Sequence, residues 1–92
     1  MKFPSGQTVV TAGVNQRQTE DPAFAVFVAQ SLARHLQGDW GDLCQEDQDR
    51  NDEALKDGSR LLSAYDSPAF PKIWLITEWD RSATTVLFPN EY

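Results

Sequence analysis

One apolar stripe limits what this chain can fold into more than any other feature. Phe24, Phe27, Val28, Ser31, Leu32, His35 and Leu36 recur at i, i+3, i+4, i+7, i+8, i+11 and i+12, the spacing that gathers side chains on one side of an α-helix. A helix striped in this way has to bury that side, so the rest of the chain must supply a surface for it. Asp21 and Pro22 open the helix, because an Asp side chain accepts from the first-turn amides and proline suits a position that needs no donor. The pattern runs to Gln37, and Gly38 stops it.

The covering surface is expected from the C-terminal third. Ser59 to Asp66 reads as a strand, with Pro68 and Pro71 marking the loop after it. From Lys72 to Trp79 apolar residues occupy both parities between 73 and 76, as in a central strand with both faces covered. Asp80 to Ala83 gives a hairpin turn, Thr84 to Phe88 returns antiparallel, and Pro89 ends that strand. Near the start, Gln7 to Ala12 is short, rich in β-branched residues and closed by Gly13, which reads as a strand followed by a polar connection from Asn15 to Glu20.

A second helix is expected from Leu43 to Asp57, with Asp42 as its cap and Gly58 just past its end. Its apolar residues stand only at its two ends, and the same face in the middle meets Asp47, Gln48 and Asn51. Such a helix either lies exposed or frays, since packing is what holds a helix of this length. The order β-α-α-β-β-β has no repeated strand-helix alternation. It predicts one α+β domain over residues 1–92, an antiparallel β-sheet of about four strands with helices on one side. The pairing of the first strand with the last stays open.

Length and composition set the outer bounds. A chain of 92 residues can fill one core and no more. The longest apolar run, Ala23 to Ala29, falls well short of the roughly 20 residues that span a bilayer, so no membrane association is expected. No apolar run follows Lys2, and Cys44 has no second cysteine to pair with, so the expected location is cytoplasmic. With 8 basic and 14 acidic residues the net charge is −6, which disfavours direct binding to nucleic acid. The imbalance is local. Between Asp39 and Asp57 stand eight acids (Asp39, Asp42, Glu46, Asp47, Asp49, Asp52, Glu53 and Asp57) against Arg50 and Lys56, while acids and bases balance over the remaining residues. A cluster of this kind is either a solvated helix face or a field that steers a basic partner.

No reaction is written in the residues. Cys44 and His35 are the only thiol and imidazole, and His35, at the edge of the stripe, reads first as a hydrogen-bonded structural histidine. One Cys and one His make a zinc site improbable. Asp47 to Asn51 imitates the start of an EF-hand loop, but Asp52 stands where the turn needs glycine and Gly58 where the bidentate Glu belongs. Gly38-Asp39-Trp40-Gly41 lacks the lysine and hydroxyl that follow a phosphate loop. Glu78, between Trp74 and Trp79, reads as an edge-facing or ion-paired strand residue before it reads as an acid catalyst. The expectation is therefore no enzyme, no cofactor and no metal. Trp40, in its glycine-punctuated turn, is the tryptophan expected to stand exposed as an anchor.

Three segments carry a resemblance. Thr11-Ala12-Gly13-Val14-Asn15, Gly38-Asp39-Trp40-Gly41-Asp42-Leu43, and Lys72 to Arg81 with the ending Leu87 to Tyr92 resemble a family of small proteins of plasmids, phages and integrative elements, some labelled as restriction-related. The sequence is also similar to small anti-CRISPR proteins, in particular inhibitors of type I-C effector complexes. The resemblance implies a setting in which a small acidic protein opposes a DNA-handling defence machine, and it brings no catalytic residues with it. Joined to the charge pattern, it predicts a noncatalytic DNA mimic whose partner-binding residues are Asp39, Trp40, Asp42, Glu46, Asp47, Asp49, Asp52, Glu53 and Asp57. A helix of about 14 residues is roughly 21 Å long, comparable with six phosphate steps of one strand. The expected partner is a basic DNA-binding protein of a CRISPR effector or restriction complex. The alternative is a general interaction module that binds through an aromatic surface or a sheet edge. A monomer is expected, and a homodimer is allowed because a chain this small exposes aromatic surface that it cannot cover.

Overall fold

Alternation along the C-terminal strands builds the surface that the apolar stripe requires. In the computed structural model, which describes residues 1–92, the chain runs β1 (Gln7–Val10), α1 (Ala12–Glu20), α2 (Pro22–Leu36), α3 (Gln45–Asp57), β2 (Leu61–Ser67), β3 (Phe70–Thr77) and β4 (Ala83–Leu87), then a 3-10 turn over Pro89–Glu91. The strands form one sheet in the order β1-β4-β3-β2. β2, β3 and β4 are antiparallel neighbours, with Ser63 opposite Leu75 and Leu75 opposite Val86. Tyr65, Ile73, Leu75 and Val86 share one face of that sheet and bury Phe24 and Val28 of α2 together with Val14 of α1. A second cluster joins Phe3, Trp40 and Ala54 to Leu61. No helix is long and apolar enough to cross a membrane.

Two expectations about architecture need correction. The sheet is mixed, because β1 runs parallel to β4, with Val10 beside Val86. Parallel neighbours need a long crossover, and every element between β1 and β4 supplies it. The polar connection expected over 15–20 is a helix, so there are three helices in the order β-α-α-α-β-β-β. Thr11 caps α1 by accepting from the Val14 amide at 3.4 Å, and only Val14 of its nine residues is buried. A helix with one buried side chain leaves no stripe in the sequence.

The stripe itself lies where its spacing puts it. Asp21 caps α2 by accepting from the amides of Ala23 and Phe24 at 3.1 and 3.4 Å. At the other end of the fold, the turn between β2 and β3 is Pro68-Ala69, and Pro71 lies inside β3 instead of in a loop.

α3 starts two residues later than expected, at Gln45, with Cys44 at its N-cap and no side-chain cap bond. Asp42 is occupied elsewhere: its backbone amide donates to the Ala64 carbonyl at 2.7 Å and its carboxylate accepts from the Asp66 amide at 2.8 Å. The expected stop holds, with Gly58 in the left-handed region at φ 79° and its amide donating to Ala54. Gly41 is also left-handed, at φ 76°, and a side chain there would sit on the Ala64 carbonyl and the Tyr65 ring. That close approach lets the 40–42 segment run alongside β2.

Candidate interaction surface

α3 is anchored through its middle by a residue that the sequence offers no apolar reason to bury. Asn51 is buried, and its side-chain amide donates to the Leu62 carbonyl at 2.5 Å while its oxygen accepts from the Leu62 amide at 3.2 Å. One amide thus replaces a missing strand partner at the β2 edge. The next outward-facing residue of that edge, Ala64, exchanges hydrogen bonds with Trp40 and Asp42, and Asp66 bonds the Asp42 carboxylate. Asn51 and the 40–42 segment therefore close the β2 edge against further strands.

Asn51 and Ala54 are buried, and helical spacing gathers Glu46, Asp49, Glu53 and Asp57 in one row along α3, at i, i+3, i+7 and i+11. All four are exposed. Glu46 meets Arg50 at 3.0 Å, and Asp47 meets the same guanidinium at 3.7 Å. Asp49 accepts from the Gln45 side chain at 2.9 Å. Ser59, through its hydroxyl and its backbone amide, holds the Asp57 carboxyl below the usual range. The four carboxylates stand along a groove of about 710 Å³ between α3 and β2, whose lining also includes Leu43, Ala54, Leu62, Asp47, Arg50 and Arg60.

Other predicted site residues lie apart from this stripe. Trp40 is not an exposed anchor: it is 3% exposed, near-parallel to Phe3 at 6.2 Å, and its indole donates to Asp52 at 3.0 Å. A tryptophan beside two glycines fills the gap they leave when a second cluster lies underneath. Asp39 pairs with Arg34 at 2.7 Å, and the hydrogen bond from that guanidinium is the main cause holding its carboxyl below the usual range. Its charge is answered within the chain. Asp42 serves the β2 edge, as described above. The tryptophan that does stand in solvent is Trp79, 68% exposed, beside the β3–β4 turn. Its position after the central strand gave no hint of this, because the strand ends two residues earlier than expected.

The thiol and imidazole do not form a reactive pair. Cys44 is exposed, whereas His35 is fully buried, with Nδ1 against the Ser63 hydroxyl and Nε2 2.8 Å from Thr77 Oγ1. The direction of each bond follows from the far end of the chain. Thr84 Oγ1 donates to the Ser5 carbonyl at 2.7 Å, so it accepts from Thr77 at 2.8 Å, and Thr77 accepts from His35. His35 therefore carries its proton on Nε2, and its bare Nδ1 accepts from Ser63. Burial, with the nearby Arg81 charge, pushes the imidazole down to about 4. Glu78 is half-buried at the end of β3, with its backbone in the turn and no ion pair. No three metal-capable side chains converge.

Comparison with known proteins finds no matching family model, curated protein or solved structure.

Proposed function

We propose that this chain is a noncatalytic acidic inhibitor of a bacterial DNA-targeting defence complex, a type I-C CRISPR effector in particular, and that it occupies a surface made for DNA. The observation that carries this reading is the exposed stripe Glu46, Asp49, Glu53 and Asp57 on a helix anchored by Asn51. Eleven residues of helix set the outer carboxylates roughly 16 Å apart, close to five phosphate steps of about 3.4 Å. A rigid row of anions at that pitch attracts a cationic groove and gives fast, salt-sensitive association. The site differs from the one read in the sequence. Asp39, Trp40 and Asp42 belong to the scaffold, Asp52 holds the Trp40 indole, and Asp47 is half-buried beside Arg50.

The test is a quadruple variant, Glu46→Gln, Asp49→Asn, Glu53→Gln and Asp57→Asn, assayed for its ability to stop a purified type I-C effector complex from binding duplex DNA. The native chain should block binding less well as salt rises, and the variant should keep its circular dichroism but lose the block. A folded variant that inhibits like the native chain removes the stripe from the mechanism.

A second reading, binding through an aromatic surface, is favoured by one observation. Trp74 and Tyr92 meet edge to face at 5.8 Å on the side of the sheet that no helix covers, and Tyr92 is 68% exposed. That reading expects association indifferent to salt and to the quadruple variant.

A further inference from the structure

The sheet has two edges, and the chain closes only one of them. Asn51 and the 40–42 segment occupy the β2 edge, whereas β1 is the last strand on the other side. The amides of Gln7 and Thr11 donate to the Ser82 and Val86 carbonyls at 2.9 and 3.1 Å, so these residues turn their amides toward β4. Strand alternation turns Val9 the same way and points the N–H and C=O of Thr8 and Val10 outward. Nothing in the chain meets these four groups. α1 turns inward from the edge, since its one buried residue, Val14, packs in the core with Val86 of β4. Gln7, Thr8 and Val9 are all exposed.

Neither charge, proline nor bulge guards this edge, although these are the devices that keep open edges from pairing. From Phe3 to Gln16 the sequence has no charged residue, and Pro4 precedes the strand. Glu91, which reaches Thr11 from the end of the chain, has its carboxylate bonded to the Thr11 hydroxyl and to the Gly13 and Phe88 amides. On a chain of net charge −6 whose acidic helix lies beyond the opposite edge, two copies can approach here without opposing their excess anions. The open groups also complement themselves. Laid antiparallel about a two-fold axis through Val9, Thr8 of one copy faces Val10 of the other in a hydrogen-bonded pair, twice, and Val9 faces Val9 between them. All four groups of each copy are then satisfied, by three β-branched residues suited to cross-strand contact. The strand also stops where this pairing stops: Gly6 is left-handed at φ 62°, and Thr11 gives its carbonyl to the Asn15 amide as the cap of α1.

We infer that the β1 edge is the contact of a weak, reversible homodimer, in which two four-stranded sheets join edge to edge in the antiparallel register that sets Val9 opposite Val9. Only three residues of each copy pair, so the contact falls well below the roughly 800 Å² of accessible surface per partner in a standard interface. The affinity should therefore lie between micromolar and millimolar. In the joined sheet the two β2 strands stand seven steps of about 4.8 Å apart, roughly 34 Å. Each α3 stays uncovered at its own outer margin, and the inference does not depend on what that helix binds.

Sedimentation equilibrium of the full chain up to millimolar concentration, with amide hydrogen exchange at both ends of that range, tests this. The average mass should climb from the 10.4 kDa of one chain toward twice that value, and the Thr8 and Val10 amides should gain protection as it climbs. Val9→Lys and Val9→Glu each leave the bonds to β4 in place and set like charges opposite each other on the axis, so each alone should associate about tenfold more weakly. An equal mixture of the two brings opposite charges face to face and should restore association. Thr8→Pro removes an outward donor and no bond to β4, so it should keep its circular dichroism and stay at the single-chain mass. The inference fails if the native chain keeps its single-chain mass over the whole range, which would leave the edge to a strand of another protein or to none. It also fails if the native chain associates while the Thr8 and Val10 amides stay unprotected, or if the mixture associates no better than either variant alone. None of these changes touches α3, so loss of dimerisation and loss of DNA competition are separable results.

Discussion

His35 shows how a residue singled out for chemistry serves structure instead. Its position on the α2 stripe was enough to predict burial and hydrogen bonding, and both are present. The partners were not legible, because Ser63, Thr77, Thr84 and the Ser5 carbonyl come from three strands and the N-terminal segment, and nothing local in the chain joins them. The bond directions make the neutral ring part of the fold. Its pKa lies at about 4, below its ordinary 6.5, so the unfolded chain binds the proton more readily than the folded one. Stability from this group is full above pH 6.5, falls as pH drops from 6.5 toward 4, and changes no further below that. The difference amounts to about 3 kcal/mol. Asp39, Asp57 and Glu91 are all held below the usual carboxylate range, and their contributions are lost only at lower pH. Urea denaturation from pH 7 to pH 4 should show the loss, and His35→Gln should flatten it. An equal slope in that variant would assign the loss elsewhere.

At the scale of elements, α2 and the β3–β4 hairpin were legible because each buries a face with one clear period. α1 was not, since Val14 alone of its residues is buried and its cap, Thr11, looks like the end of a strand. α3 was found for its Gly58 stop, and misjudged at its N-terminal cap and in its middle. The polar run that suggested fraying contains Asn51, whose amide pairs with both backbone groups of Leu62. A polar residue used as a substitute strand cannot be told from a solvated one by type alone. Asn51→Ala leaves that amide and carbonyl without a protein partner, at a cost of about 2 kcal/mol, and loosens the hold of the sheet on α3, which Ala54 and the Asp52–Trp40 bond still tether. Equilibrium unfolding should report the loss, and hydrogen exchange should show α3 and Leu62 losing protection together while α2 keeps its own. The acidic stripe depends on this joint, because a frayed helix would not hold its carboxylates in a row.

The whole molecule keeps its distinct surfaces on separate sides. α1 and α2 cover one face of the sheet, α3 lines its β2 margin, and the remaining face carries Trp74 and Tyr92 with balanced charges. Raising salt should weaken engagement of a cationic groove by α3. Composition revealed the acidic side early, whereas the balanced side appears only when four strands are set in register. The parallel union of β1 with β4 also has a kinetic meaning. As the polypeptide leaves the ribosome, Gln7–Val10 has no mate until Ala83–Leu87 has been made, and the Glu91 carboxylate that binds the Thr11 hydroxyl and the Gly13 amide comes later still. Contacts so distant along the chain slow the search for the native state. Ribosome-bound chains stalled before Ala83 should remain open to protease across residues 7–14, and should become resistant there once Ala83 to Glu91 has been made and has left the ribosome.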